Sequence, residues 1–316
     1  MTKIDRRQFI KTGLQAGMAL GGLTVTSNLL AKEGPSESNL PDISVVNNSN
    51  YFKATIKAIG NLGGIERFIS KGDVVGLLAN SGYKKPGTYT RPDILLAVAH
   101  LCLKAGAKEV YSFKKESAKY WKRSPISKTH GELISKIQND DTDHMEVKIS
   151  GGKVLETAEV KEGFLKYDKV INIPILKDHG EIGLTCTLKN CMGISSLTTN
   201  LKFHTGPNIV TGAIKTIIDT YHNKEYLAQC IADLNRVRKF DLYVVDVTEF
   251  ITTNGPSGPG DIKKANYVVA GTDRVAIDTY CCRYLDRNPQ DEIMIKKAYD
   301  SGLGEMDMSK LTVHEA

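Results

Sequence analysis

The sequence predicts an α/β fold: a mostly parallel, doubly wound sheet with helices on both faces. Strand-like and helix-like patterns alternate along the chain. One strand-like run, "DVVGLLAN", is continuously apolar, as buried parallel strands are. The helix-like runs open and close on recognisable punctuation.

In order, "ISVVNN" reads as the first strand, and "YFKATIKAIGNLGGIERFI" as an amphipathic helix closing on Gly63-Gly64. "DVVGLLAN" is a buried parallel strand. "RPDILLAVAHLCLKAG" begins with Pro92, whose missing N–H is not needed in a first turn, and stops at Gly106. "EVYSF", "YDKVINIPIL", "FDLYVVDV" and the shorter "NYVVAG" follow as strands. "GTDRVAIDTYCC" starts a helix on Thr272 or Asp273 and carries Asp278 inside it. "NDDTDH" has calcium-loop spacing, but His144 stands where such a loop needs glycine, so it reads as a solvated turn. "KKESAKYWKRSP" interleaves Lys114, Lys115, Lys119, Lys122 and Arg123 with Tyr120 and Trp121. In an exported chain it reads as a surface helix or a flap over a site rather than a nucleic-acid strip.

The first 31 residues, "MTKIDRRQFIKTGLQAGMALGGLTVTSNLLA", run from charged to mildly apolar to small, the order of an export signal. Arg6-Arg7 followed by Phe9 and Lys11 points to the twin-arginine route, with its translocon as a partner and the periplasm as destination. Cleavage is expected after Ala31. Leu29 fits the −3 position poorly, and an uncleaved anchor is the alternative; repeated glycines make the stretch a poor stable membrane span. Residues 32–42 form a polar linker, and residues 43–316 a single α/β domain. Lys3, Arg6, Arg7 and Lys11 against Asp5 account for three of the six net positive charges. The mature chain is therefore near neutral, and no nucleic-acid partner is expected. The six cysteines form no C-x-x-C and no ferredoxin run, so this chain has no iron–sulfur motif. Buried thiols are the simplest reading, with one or two disulfides formed after export as the alternative.

In a parallel sheet, ligands bind off the carboxyl ends of strands. "VINIPILKDH" is an apolar strand ending in Lys177-Asp178-His179, where such a site falls, and Gly180 permits a tight turn. The next segment has Leu184, Leu188 and Met192 at helical spacing, with Lys189 off that face near Thr185 and Gly193. A cation beside a core helix either snorkels to water or meets an anion. The plainer alternative is a helix held on the sheet by a salt bridge such as Asp178 to Lys189. Asp246 closes "LYVVD" in the same manner. "NGPSGPG", residues 254–260, is a shaped loop able to bring amides close to an anion.

These blocks, with "GGIERFISKGDVV", "INIPILKDHGEIGLTCTLKNCMG", the later His204 and "YVVDVTEFITTNGPSGPG", come in the order of the family catalogued as domain of unknown function 362, which the chain resembles from about residue 43 to its end. The resemblance implies an α/β fold and an association with redox proteins, without an established reaction. It highlights Lys177, His179, Lys189, Asn190, Gly193, His204, Asp246, Gly255, Gly260, Asp273 and Asp278. Leu78 stands where similar proteins often carry lysine.

The site expected from these readings uses His179, Lys189 and His204 as catalytic groups, and Lys177, Asn190, Gly193, Gly255 and Gly260 to bind a small anionic ligand. Asp178, His179, His204 and Asp246 are the candidate ligands for a divalent metal, zinc or iron. Two function classes follow: an exported metal- or anion-dependent enzyme linked to redox metabolism, or a non-catalytic ligand-binding or maturation protein for a redox partner.

Overall fold

The computed structural model describes residues 40–206 and 223–316. The expected leader, its cleavage point and nearly all of the linker lie outside the described residues. Among the described residues no helix is long and apolar enough to cross a membrane.

Eight strands form one sheet: β1 (Ile43–Asn47), β2 (Val74–Ala79), β3 (Glu109–Ser112), β4 (Ile137–Asn139), β7 (Lys169–Ile173), β10 (Leu242–Ile251), β11 (Ile262–Gly271) and β12 (Val313–Glu315). Their order is β12-β1-β11-β10-β7-β2-β3-β4. Every pairing is parallel except those of β11, which runs against both β1 and β10. The exception has a simple cause. Only residues 252–261 separate β10 from β11, too few for the crossover that a parallel pair needs. Two small hairpins, β5 (His144–Lys148) with β6 (Thr157–Lys161) and β8 (Lys177–His179) with β9 (Gly183–Thr185), stand apart from the sheet.

Both faces are covered, as the continuous apolar run of β2 requires. In β10, Leu242 and Val244 face one core cluster, while Tyr243, Val245 and Val247 face the other. Helices α1 (Tyr51–Asn61) and α2 (Pro92–Lys104) fill the first side through Ala58, Ile59, Leu95 and Val98. Pro92 occupies the first turn of α2, where the sequence places it. On the other side lie α3 (Thr187–Asn190), α4 (Leu197–Thr205), α5 (Lys224–Leu234), α6 (Arg274–Cys281) and α7 (Ile293–Asp300). Asp273 is the N-cap of α6, accepting from Val275 N and Ala276 N. All six cysteines are buried and free.

From β2 the chain crosses through α2 to β3 on one side; from β7 it proceeds to β10 on the other. Such a divergence opens a crevice at the carboxyl ends of β2 and β7, the usual ligand position of an open α/β sheet.

Candidate functional site

The apolar strand that ends in Lys177-Asp178-His179 is not continuous. β7 stops at Ile173, before Pro174; Ile175 then bridges to Asp246 of β10, with Leu176 N donating to Asp246 O at 2.9 Å. Residues 177–179 leave the sheet and pair with β9. All three are buried rather than solvated. Strand alternation separates them: Lys177 and His179 line the crevice, while Asp178 turns the other way. Asp178 pairs with Arg287 at 2.8 Å and accepts from Gly255 N at 3.0 Å. The Asp178 to Lys189 salt bridge is therefore not formed.

The helix expected around Leu184, Leu188 and Met192 is a single turn. Leu184 lies in β9, α3 spans only Thr187–Asn190, and a 3₁₀ turn carries Met192. The helical spacing still marks shared burial, since all three belong to one core cluster. Asp278, buried in α6, anchors the start of the turn, accepting from Thr187 N (2.8 Å), Thr187 Oγ1 (2.6 Å) and Leu188 N (3.1 Å). This anchor aims Lys189 at the crevice. Asn190 is tied to Leu78 O and Asn172 Oδ1 beside it.

The crevice is a cavity of about 320 Å³, at the small end of the roughly 300–1,000 Å³ common for ligand sites. The loop after β2 supplies Asn80, Ser81 and Tyr83; β3 is followed by Lys114; α4 contributes Asn200 and His204, which share a face one turn apart. Thus Lys177, His179, Lys189, Asn190, Gly193 and His204 meet around one cavity despite their separation in sequence.

Its electrostatics are one-sided. The Lys177 side chain is fully buried; Nζ donates to Thr88 O at 2.7 Å and lies 3.6 Å from the centre of the Tyr83 ring. Burial, and then the neighbouring Lys189, push its pKa down to about 7. Lys189 Nζ has Met192 Sδ at 3.1 Å as its contact, and burial pushes it down to about 8 against the pull of Glu181. Neither lysine forms an ion pair among the described residues. Two enclosed ammonium groups without a carboxylate are costly unless an anion joins them.

The two histidines present opposite faces of imidazole chemistry. His179 is held neutral, its pKa pushed down to about 3 by burial and by Lys189. Its Nδ1 accepts from Glu181 N at 3.3 Å, so the ring proton sits on Nε2 and His179 is a donor. His204 Nδ1 lies 3.2 Å from the Glu181 carboxylate, and that hydrogen bond lowers the Glu181 pKa. A carboxylate on Nδ1 leaves Nε2 of the neutral ring as an acceptor.

The other expected residues serve the frame. The Asp246 carboxylate is fully buried and turned toward α2, accepting from Arg91 N (2.7 Å), Thr248 N (2.9 Å) and Thr248 Oγ1 (2.6 Å). Gly255 and Gly260 do not line the cavity; they shape a brace. A Cβ on Gly255 would stand 1.7 Å from Asp178 O, and one on Gly260 1.9 Å from Thr253 O. The four-residue metal set does not assemble, because Asp178 and Asp246 are committed elsewhere. Among the described residues no group of three or more His, Cys, Asp or Glu is placed to hold a metal.

Sequence reasoning missed Glu116, Tyr83 and Glu181, and gave Lys114 no role of its own. Lys114 and Glu116 sit in the segment expected as a surface helix or a flap over a site, and Lys114 lines the cavity, in keeping with the second of those readings. Burial pushes the Glu116 carboxyl up to about 7; it accepts from Ser81 Oγ at 3.1 Å. The available signal was position: both fall within three residues of the end of the strand "EVYSF".

Residues 75–283 match the family described as Domain of unknown function (DUF362). The chain is 25% identical over 240 residues to the thylakoid-associated protein sll1697 of Synechocystis sp., covering 72% of this chain and 68% of that protein. Among solved structures it is similar to the lactate racemase apoprotein from Thermoanaerobacterium thermosaccharolyticum, at 12% identity and a TM-score of 0.45, covering 74% of this chain and 55% of that one. A protein from Thermotoga maritima is similar at 11% identity and a TM-score of 0.41, covering 81% and 60%. The chain thus spans less than two thirds of either solved structure.

Proposed function

The chain belongs to the DUF362 family, and from that premise we propose that it is an exported acid–base enzyme acting on a small anionic substrate. One observation carries this reading: Lys177 and Lys189 are enclosed around one cavity and neither forms an ion pair among the described residues. A carboxylate or phosphate group supplies the missing counter-charge. With the anion in place, His204 Nε2 is the base, and Glu181 keeps its proton on Nδ1. His179 Nε2–H and the lysines stabilise charge that develops on the substrate. Zinc or iron enters no step, because ammonium groups and a donor imidazole repel a cation where they attract an anion.

The test is calorimetry with acetate and inorganic phosphate between pH 6 and 9. In the free protein, Lys177 and Lys189 lose their protons near pH 7 and 8, whereas a bound anion favours the charged forms. Affinity therefore falls as pH rises through this window, and binding at pH 8 takes up protons from the buffer. Binding that ignores pH, or no binding of either anion, would remove the basis of the proposal. Mass spectrometry of small molecules retained after native export then separates the two function classes. A retained anion converted on incubation supports the enzyme; one held unchanged in stoichiometric amount assigns the chain to the binding role.

Export by the twin-arginine route is part of the same proposal, and Arg6-Arg7 with Phe9 and Lys11 support it. Replacing both arginines together, Arg6→Lys and Arg7→Lys, leaves the precursor in the cytoplasm on cell fractionation. Normal export of that double variant would refute the route.

A further inference from the structure

Lys114 stands apart from the other two cavity lysines. It follows β3, whereas Lys177 follows β7, and β2 runs between those strands. With neighbouring strands roughly 4.8 Å apart, β3 and β7 themselves stand about 10 Å from one another, and Lys177 lies beyond the end of β7, in the β8–β9 hairpin. The electrostatic neighbours differ in the same way. Lys177 and His179 both feel Lys189, whereas Lys114 feels Glu116 and Lys161. Lys161 is itself occupied, pairing with Asp140 at 3.5 Å. Lys114 forms no ion pair among the described residues, and burial pushes the carboxyl that acts on it, Glu116, up to about 7.

Gly193 gives this lysine its path. A Cβ there would stand 3.0 Å from Leu78 Cδ1 and 3.2 Å from Lys114 Cε. The side chain of Lys114 thus passes over a bare backbone into the far side of the cavity. A compact monoanion held at Lys177 and Lys189 leaves Lys114 without a counter-charge.

Resting on the reading above, we propose that the ligand carries two anionic groups. One is held by Lys177, Lys189 and the donor face of His179; the second is held by Lys114 across Gly193. A short dicarboxylate and a small phosphorylated acid share this chemistry, and the cavity of about 320 Å³ suits either.

Calorimetry at pH 7 with four probes tests the proposal: acetate and inorganic phosphate carry one anionic group, succinate and phosphoglycolate carry two. The full-length exported protein binds a two-headed probe at least about tenfold more tightly than its one-headed counterpart, the scale of one added charged hydrogen bond. The preferred probe, succinate or phosphoglycolate, tells which second group is used. Lys114→Met reduces the two-headed probes to the affinity of the one-headed ones, and Lys114→Arg restores most of the margin. Gly193→Ala, which keeps the lysine but crowds its Cε at 3.2 Å, narrows the margin in part. If one- and two-headed probes bind equally, or the margin survives in Lys114→Met, the second subsite is wrong while the anion site stands. If none of the four binds, the anion site itself is wrong and this inference falls with it.

Discussion

Lys177→Met is expected to raise thermal stability at pH 6 while weakening small-anion binding about tenfold to a hundredfold, the scale of a lost charged hydrogen bond. The lysine is fully buried and its charge is opposed by burial and by Lys189. Methionine has similar length and no charge, and replacing an uncompensated buried ion by an apolar isostere is often stabilising by roughly 1–4 kcal/mol. Thr88 O loses its donor, which offsets about 1 kcal/mol of the gain. The sign with pH follows from the lowered pKa. Below about pH 7 the folded wild type holds the charged amine in full, at full cost. Between pH 7 and the ordinary lysine value of 10.5, the unfolded chain binds a proton that the folded chain does not, so wild-type stability rises with pH. The advantage of the variant shrinks across that window and is gone above it. Thermal melts at pH 6 and pH 10.5 check this; a variant less stable at both would show that Lys177 is an ordinary structural residue.

Asp278→Ala should do the reverse, lowering stability and binding together. It strips two backbone amides and one hydroxyl of their acceptor inside the core. Each unsatisfied buried group costs about 1–3 kcal/mol, and a total of roughly 3–5 kcal/mol is expected after relaxation. That is a fall of about 5–8 °C in Tm for a chain of this size. The turn bearing Lys189 loses its anchor, so acetate binding is lost as well. Asp278→Asn, which retains one acceptor oxygen, falls between wild type and alanine. Melting curves and calorimetry on the three proteins decide it; unchanged melting in Asp278→Ala would mean that the α6 carboxylate does not hold the turn.

The sheet was largely legible in the sequence because its evidence is local. Val74–Ala79 and Leu242–Val245 are apolar on both faces, and Pro92 and Asp273 mark helix starts through their own backbone chemistry. The place of the site was legible for the same reason, since ionisable residues ending an apolar run locate a strand's carboxyl edge. The roles within the site depend on distant partners. Asp178 looked like a metal ligand until Arg287 and Gly255 claimed it. Asp246 shares the sheet edge but spends its oxygens on Arg91 and Thr248. Lys114 was given no role because a basic segment rich in aromatics reads equally as a surface helix or as a flap over a site. The direction of one side chain at a strand end, which separates Lys177 from Asp178, is set by a hairpin that periodicity does not reveal.

The placement of β1 bears on how the chain is made. Ile43 pairs with Gly271 on one side and Val313 on the other, and Asp42 is fastened to Thr312 across 270 positions. The first described strand therefore has no partner in the sheet until residues 262–271 have been synthesised, and its second neighbour comes later still. Contacts of such separation are slow to form, and an unpaired strand is exposed to association in the meantime. A chain stalled or cut before residue 313 loses one of the two neighbours that hold its opening strand. Synthesis of residues 262–315, rather than growth of the first half, is the event that closes this edge of the sheet.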